Sequence, residues 1–201
     1  MSEFRDGTGS GYKAKVDSTN RITTRSIQQG EIIEATNNGD GFNIHTGLVD
    51  FATAAATDSA LLYFKNNEPR DFIINNFIIT CNNTGTLGDS VYCKFVRNPT
   101  AGTIVTGAVN VAAPVGASGN RDTGSSKDLG DSLAYVGGDG QTFTDGSFFG
   151  AIYVPQNQTR AAALNVKVSR GGSFGFTVDT DVTAGTLKIY AVIIGYYRGI
   201  I

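Results

Sequence analysis

Residues 162–169 read AALNVKVS. Leu164, Val166 and Val168 fall on one side of an extended chain, and Asn165, Lys167 and Ser169 fall on the other. A period of two with one apolar face is the pattern of a half-buried β-strand. The same reading extends outward. FGFTV at 174–178 alternates too, and FFGAIYV at 148–154 is rich in strand formers. Toward the N-terminus stand FNIHTGLVDF at 42–51 (a strand, or a hairpin bent at Gly47), SALLYFK at 59–65, FIINNFIITC at 72–81, VYCKFV at 91–96 and TIVTGAVNV at 103–111. TLKIYAVIIGYYR at 186–198 comes last. This amounts to roughly eight to ten strands and no convincing helix. Short strands with Gly-rich turns predict an all-β sandwich or barrel. Short connections between successive strands predict antiparallel pairs.

Composition agrees. The chain has 201 residues, enough for one domain with a sizeable core. It holds 26 Gly against 4 Pro, with 17% charged residues, which points to tight turns rather than disorder. Residues 112–141 form a long Gly/Ser-rich loop with one apolar island, Leu133 to Val136. The two cysteines, Cys81 and Cys93, sit on neighbouring predicted strands, where a cross-strand bridge is geometrically possible. Two free, buried thiols are the expected state, because free Cys packs as a small hydrophobe. The start is polar, with no apolar signal-peptide stretch, and no run of about 18 apolar residues occurs, so folding in a cytoplasm and no membrane partner are expected. A formal net charge of −2 argues against a direct nucleic-acid partner.

Catalytic chemistry finds little support. The single histidine, His45, lies in a predicted strand without a nucleophile elbow near it. One His and two Cys would need carboxylates to complete a zinc site, and no spacing supports one. Asp6, Asp40, Asp139 and Asp145 each precede Gly, which turn chemistry explains. Asn37–Gly41 and Asp179–Asp181 cluster oxygens as calcium prefers but match no calcium loop. A non-enzymatic chain without cofactor or metal is the expectation.

Two features point to assembly. Residues 1–30 are polar, with isolated apolar residues and no lasting period; 12–29 carry Lys13, Lys15, Arg21 and Arg25 against Asp17 alone. That balance of +3 leaves −5 for the rest of the chain. An extended, mildly basic N-terminal arm on a mildly acidic body at 31–201 is expected, with Tyr12, Val16 and Ile22 as its apolar anchors. The last strand is apolar on both faces: Ile189, Ala191 and Ile193 on one, Tyr190, Val192, Ile194 and Tyr196 on the other. Such a strand must be covered twice. Loops or the arm could supply the second cover, but a neighbouring subunit is the favoured one, since interfaces favour Tyr.

The segment SALLYFKNNEPRDFII at 59–74, with YKAKVDSTNRITTRS at 12–26, resembles a stretch found in structural proteins of tailed-bacteriophage virions. The resemblance covers about the first 80 residues. It implies a jelly-roll domain behind a basic arm, of the auxiliary capsid (decoration or cement) type, and a homotrimer that binds and stabilises the phage head. The implied partners are further copies of the chain and the major capsid protein or another virion protein, within a virion assembled in the host cytoplasm. On that reading Tyr12, Lys13, Lys15, Val16, Arg21, Ile22 and Arg25 contact the capsid, and Tyr190, Val192, Ile194 and Tyr196 form the subunit interface. The alternative is a receptor- or carbohydrate-binding jelly-roll module of a fibre or spike. Without any Trp, its aromatic platform would fall to Tyr135, Phe143, Phe148 or Tyr153.

Overall fold

A computed structural model describes residues 30–52, 58–83, 90–106, 119–180 and 186–198. The arm residues from Tyr12 to Arg25 therefore lie outside the described residues. The compact unit spans Glu31–Ile201. Its elements are helix α1 (Glu31–Asn37) and strands β1 (Gly41–Ala52), β2 (Ser59–Lys65), β3 (Phe72–Asn83), β4 (Ser90–Arg97), β5 (Leu133–Val136), β6 (Ser147–Pro155), β7 (Gln158–Val168), β8 (Ser173–Thr180) and β9 (Thr186–Tyr197).

Two sheets pack face to face, one in the order β1-β9-β3-β7 and the other β5-β2-β8-β4-β6. Every pairing is antiparallel. With β5 set aside as an added edge strand, two four-stranded sheets remain, with strands crossing between them in chain order. That is a jelly roll. Antiparallel pairing was expected between sequence neighbours, and here the expectation is corrected: β1 pairs β9, β3 pairs β9 and β7, and β4 pairs β8 and β6. Successive strands such as β3 and β4 lie in opposite sheets because each sheet must bury its apolar face against the other.

The same topology settles the cysteines. Cys81 on β3 and Cys93 on β4 enter the core from opposite sheets rather than from neighbouring strands, and both are free and buried. Burial pushes the Cys81 thiol up to about 12. Burial, with Cys81 beside it, pushes Cys93 well above its ordinary value.

β1 is one strand, not a hairpin. Gly47, at φ +68, is an extra residue between the His45 and Leu48 pairings with β9. This bulge reverses the parity of the strand. Phe42 and Ile44 point inward before it, Phe51 after it. Leu164, Val166 and Val168 of β7 do share the inward face, as their alternation requires.

The core is rich in phenylalanine. Phe77, midway along β3, meets Phe95 and Phe176 edge-on at 5.0 and 4.9 Å and so joins the sheets. Where β3 begins, Phe72 meets Phe64 at 4.6 Å and Tyr197 at 5.0 Å. Aromatic pairs in such geometry stabilise beyond their area by about 0.5–1.5 kcal/mol each.

Three local readings change. α1, with the sequence EIIEATN, is a helix where none was expected. Seven residues are too few to show a helical period, but Glu31 and Glu34 suit its first turn. Gly39, at φ +71, ends it by donating to the Thr36 carbonyl at 2.9 Å. The strand expected over 103–111 is a turn in its described part, with Thr106 N donating to the Gly102 carbonyl at 3.4 Å; the rest lies outside the described residues. In the long loop, the apolar island Leu133–Val136 is β5, paired with β2.

Candidate functional site

The outer faces of the two sheets carry the candidate surfaces, since the inner faces are spent on the core. On the four-stranded sheet, outward side chains line up across β1, β9 and β3. Leu48 stands opposite Tyr190, and Tyr190 opposite Thr80; His45 stands opposite Val192, and Val192 opposite Ile78. Ile194 continues the row on β9. Tyr190 stacks on His45 with ring centres 6.1 Å apart, so His45 serves packing at this surface.

The four interface residues expected from sequence share this face but differ in cover. Tyr196 is buried under α1, where it packs with Ala35, Ile73 and Ile32. Its hydroxyl donates to Glu31 at 2.8 Å, and Arg198 reaches the same carboxylate at 2.9 Å. The Tyr196 hydroxyl, then the Arg198 guanidinium, hold the Glu31 carboxyl below its usual value. At that end the chain thus supplies its own second cover. Val192 is 9% exposed, Ile194 half-buried, and Tyr190 37% exposed beside Leu48 at 61%. Among the described residues nothing beyond α1 forms a packed cluster over this face.

The outer face of the five-stranded sheet is divided. Over β2 and β5 it is closed by Ile104, Val105 and Phe143, which pack on Ala60, Tyr63 and Tyr135. This second cover explains why β2 is buried on both faces. Over β4 and β6 the cover stops, leaving a groove of about 470 Å³. Tyr92, Lys94 and Val96 of β4 and Thr177 of β8 line it, with Asp58, Phe143, Asp145, Gly146 and Phe148. Tyr153 stands opposite Tyr92 in the ladder and carries the aromatic row outward.

Its polar groups are held in place. Lys94 Nζ sits 2.7 Å from Asp58 and 3.3 Å from Asp179, and 5.7 Å from the centre of the Tyr92 ring. The Asp58 contact foremost raises the Lys94 pKa against partial desolvation. Asp145 accepts from the backbone of Thr100 at 2.7 Å and of Ala101 at 2.8 Å, and from the Thr100 hydroxyl. These bonds, the Thr100 hydroxyl first, lower the Asp145 pKa. Gly175 of β8 shapes the floor: a Cβ there would meet Phe143 Cζ at 2.3 Å, so only glycine lets that ring lie on the sheet.

Sequence reasoning named Phe143, Phe148 and Tyr153 as platform aromatics, and the structure brings all three to this end of the sheet. It places Tyr135 elsewhere, stacked on Tyr63 at 6.0 Å. Tyr92, Lys94, Asp58 and Asp145 were missed. The alternation of VYCKFV, with Cys93 and Phe95 inward, would have put Tyr92 and Lys94 outward. In the stretches weighed for calcium, Asp40 pairs with Arg70 at 2.9 Å and Lys127 at 3.2 Å, and Asp179 pairs with Lys94; Asp181 lies outside the described residues. Among the described residues no group of three His, Cys, Asp or Glu could hold a metal ion, and no helix is long and apolar enough to cross a membrane.

No protein-family model and no curated protein matches the chain. Among solved structures it is similar to the CBM22-1–GH10 modules of Clostridium thermocellum endo-1,4-beta-D-xylanase 10B complexed with xylohexaose, at 8% identity and TM-score 0.31. That match covers 81% of this chain but only 27% of the xylanase chain. It is also similar to a chain of a marine algae virus of the order Picornavirales, at 10% identity and TM-score 0.30, over 97% of this chain and 84% of that one. A third likeness is to Desmodium yellow mottle tymovirus, at 10% identity and TM-score 0.20, over 92% and 98% of the two chains. Likenesses this distant carry no functional argument, and the jelly-roll assignment stands on the strand order itself.

Proposed function

We propose that the chain is a non-enzymatic structural subunit of a virion, of the decoration or cement kind, that meets further copies of itself through the outer face of its four-stranded sheet. The observation that carries this reading is the strip Leu48, Tyr190, Val192, Ile78 and Ile194. It runs on from the α1-covered end, with Leu48 61% and Tyr190 37% exposed. Fully burying a large apolar side chain contributes about 1.5–3 kcal/mol, so covering even two of these stabilises an assembly. The resemblance of residues 59–74 to phage virion proteins names the assembly, and a homotrimer on the phage head is its finer form. Each subunit there would meet its neighbour through a heterologous contact, so one substitution on this strip disturbs all three interfaces.

Light scattering on the purified chain tests the oligomer. A mass near three times 21.1 kDa is expected. Ile194→Asp and Tyr190→Asp should shift the mass toward the monomer, while Arg170→Asp, in the exposed turn before β8, should not. A monomer at micromolar concentration, together with no co-sedimentation with purified particles, would end this reading.

A further inference from the structure

The groove on the five-stranded sheet lies on the opposite face of the sandwich from the strip just described, and the structural role makes no use of it. The geometry points to a binding site for a neutral oligosaccharide, with Phe148 and Tyr92 as stacking platforms and the Asp58–Lys94–Asp179 cluster as the hydroxyl-reading group.

The first reason is the placement of aromatic rings. Seven large hydrophobic side chains are exposed among the described residues, and four of them are aromatics of β4 and β6: Tyr92 at 40%, Phe148 at 60%, Phe149 at 42% and Tyr153 at 55%. Phe149 leans on Phe95 and Phe174 at the sandwich edge. The other three stand on the outer face, where Tyr92 faces Tyr153 and Val96 faces Phe148 across the ladder. Flat exposed rings flanking a concavity offer what the C–H face of a pyranose needs. The second reason is the polar complement. Sugar hydroxyls both donate and accept, so a site for them needs fixed groups of both kinds beside the rings. Lys94 supplies a donor, the Asp58 and Asp179 carboxylates supply acceptors, and the Thr177 hydroxyl at the floor supplies either. Mutual ion pairing holds the three charged groups in register, which lowers the ordering penalty on binding.

The charge decides the class. Asp58 and Asp145 in the lining outweigh Lys94, whose charge Asp179 beside the groove also offsets, so the site is net acidic. A uronate, sulfated or phosphorylated glycan would meet repulsion. A basic peptide is disfavoured for a different reason: the Lys94 ammonium already sits between Asp58 and Asp179, where a partner's cation would have to go. A neutral polyol has no such conflict. The volume of about 470 Å³ lies within the range of small-ligand sites.

The test uses the full-length chain and calorimetric titration with soluble malto-, cello-, manno- and N-acetylglucosamine oligosaccharides, with a heparin fragment and an arginine-rich peptide as charged probes. At least one neutral series should bind. Phe148→Ala and Tyr92→Ala should each weaken that binding at least tenfold, with urea midpoints close to the parent's. Asp179→Asn should weaken it while leaving the aromatic platform in place. Ile194→Asp, on the other face, should leave it unchanged even where it disrupts assembly, so this site and the structural role fail independently. Absence of binding in all four neutral series at millimolar concentration, binding indifferent to Phe148→Ala, or preference for either charged probe would overturn the proposal.

Discussion

The Tyr197 hydroxyl donates to Ser132 Oγ at 2.7 Å, and the Ser132 hydroxyl in turn donates to Asn66 Oδ1 at 3.2 Å. This chain ties the end of β9 to the turn between β2 and β3. Asn66 is fully buried, and its amide donates to the Arg70 and Val168 carbonyls, each at 2.8 Å. Asn66 opens the NNEPRD turn, so the turn is held from inside the domain rather than by its Pro alone. Removing one partner of a buried hydrogen bond exacts the desolvation of the other.

Asn66→Ala should therefore destabilise by about 2–4 kcal/mol, since it leaves two carbonyls and the Glu68 amide without their partner. Tyr197→Phe removes one donor and keeps the ring packing on Phe42 and Phe72, so about 1 kcal/mol is expected. Urea midpoints for the two variants, at unchanged m-value, check the order. Equal losses would contradict it.

Two glycines make a sharper contrast. A Cβ on Gly195 would stand 2.5 Å from the Phe72 ring and 2.7 Å from the Ile73 carbonyl, deep in the sandwich. A Cβ on Gly150 would find only Phe95 Cδ2, at 3.7 Å. Gly195→Ala should cost about 3 kcal/mol by overpacking, whereas Gly150→Ala should stay within about 0.5 kcal/mol of the parent. Thermal melts of the pair decide it.

How much of this was legible beforehand differs by level. SALLYFK could be read as a strand because β-formers stood between turn residues, and β2 falls on those residues; LAYV, only four residues inside a Gly/Ser-rich loop, read as an apolar island, and its place as β5 shows only in its pairing with β2. The order of strands could not be read, because pairing partners such as Phe42 and Gly195 lie most of the chain apart and alternation names a face, not a neighbour. The bulge at Gly47 hid for the same reason, since a glycine in a strand pattern reads equally as a bend. The groove was least visible. Asp58, Tyr92, Phe143 and Thr177 come from four separate stretches, and only the sheet brings them together.

Alkaline pH should unfold the domain early. The unfolded thiols lose their protons near 9.0, whereas Cys81 holds its proton to about 12 and Cys93 well above its ordinary value; burial likewise lifts Tyr197 to about 12. Groups raised in the folded state contribute stability that is complete below their unfolded values and disappears as pH climbs through the folded ones. The urea midpoint in the presence of reductant should hold level up to about pH 8.5 and then fall steadily. In Cys93→Ala the midpoint should start lower, because a cavity opens, but fall less steeply above pH 9. A slope identical to the parent's would mean that the thiols do not set the alkaline limit.

The arm gives the last prediction, which rests on the proposed structural role. Residues 1–30 carry a mildly basic stretch, and the apolar residues among them are isolated, so they lack the means to build a core of their own. Deleting 1–30 should therefore leave the melting temperature within a few degrees of the parent, yet abolish attachment to purified particles. An exposed ion pair contributes only about 0–1 kcal/mol, so Lys13, Lys15, Arg21 and Arg25 would have to act together, with Tyr12, Val16 and Ile22 adding apolar contact. Reversing two charges, as in Lys13→Glu with Arg21→Glu, should weaken attachment more at low salt than at high, because screening already removes part of the attraction. A truncated chain that binds particles as well as the full-length one would show that the arm plays no part in attachment.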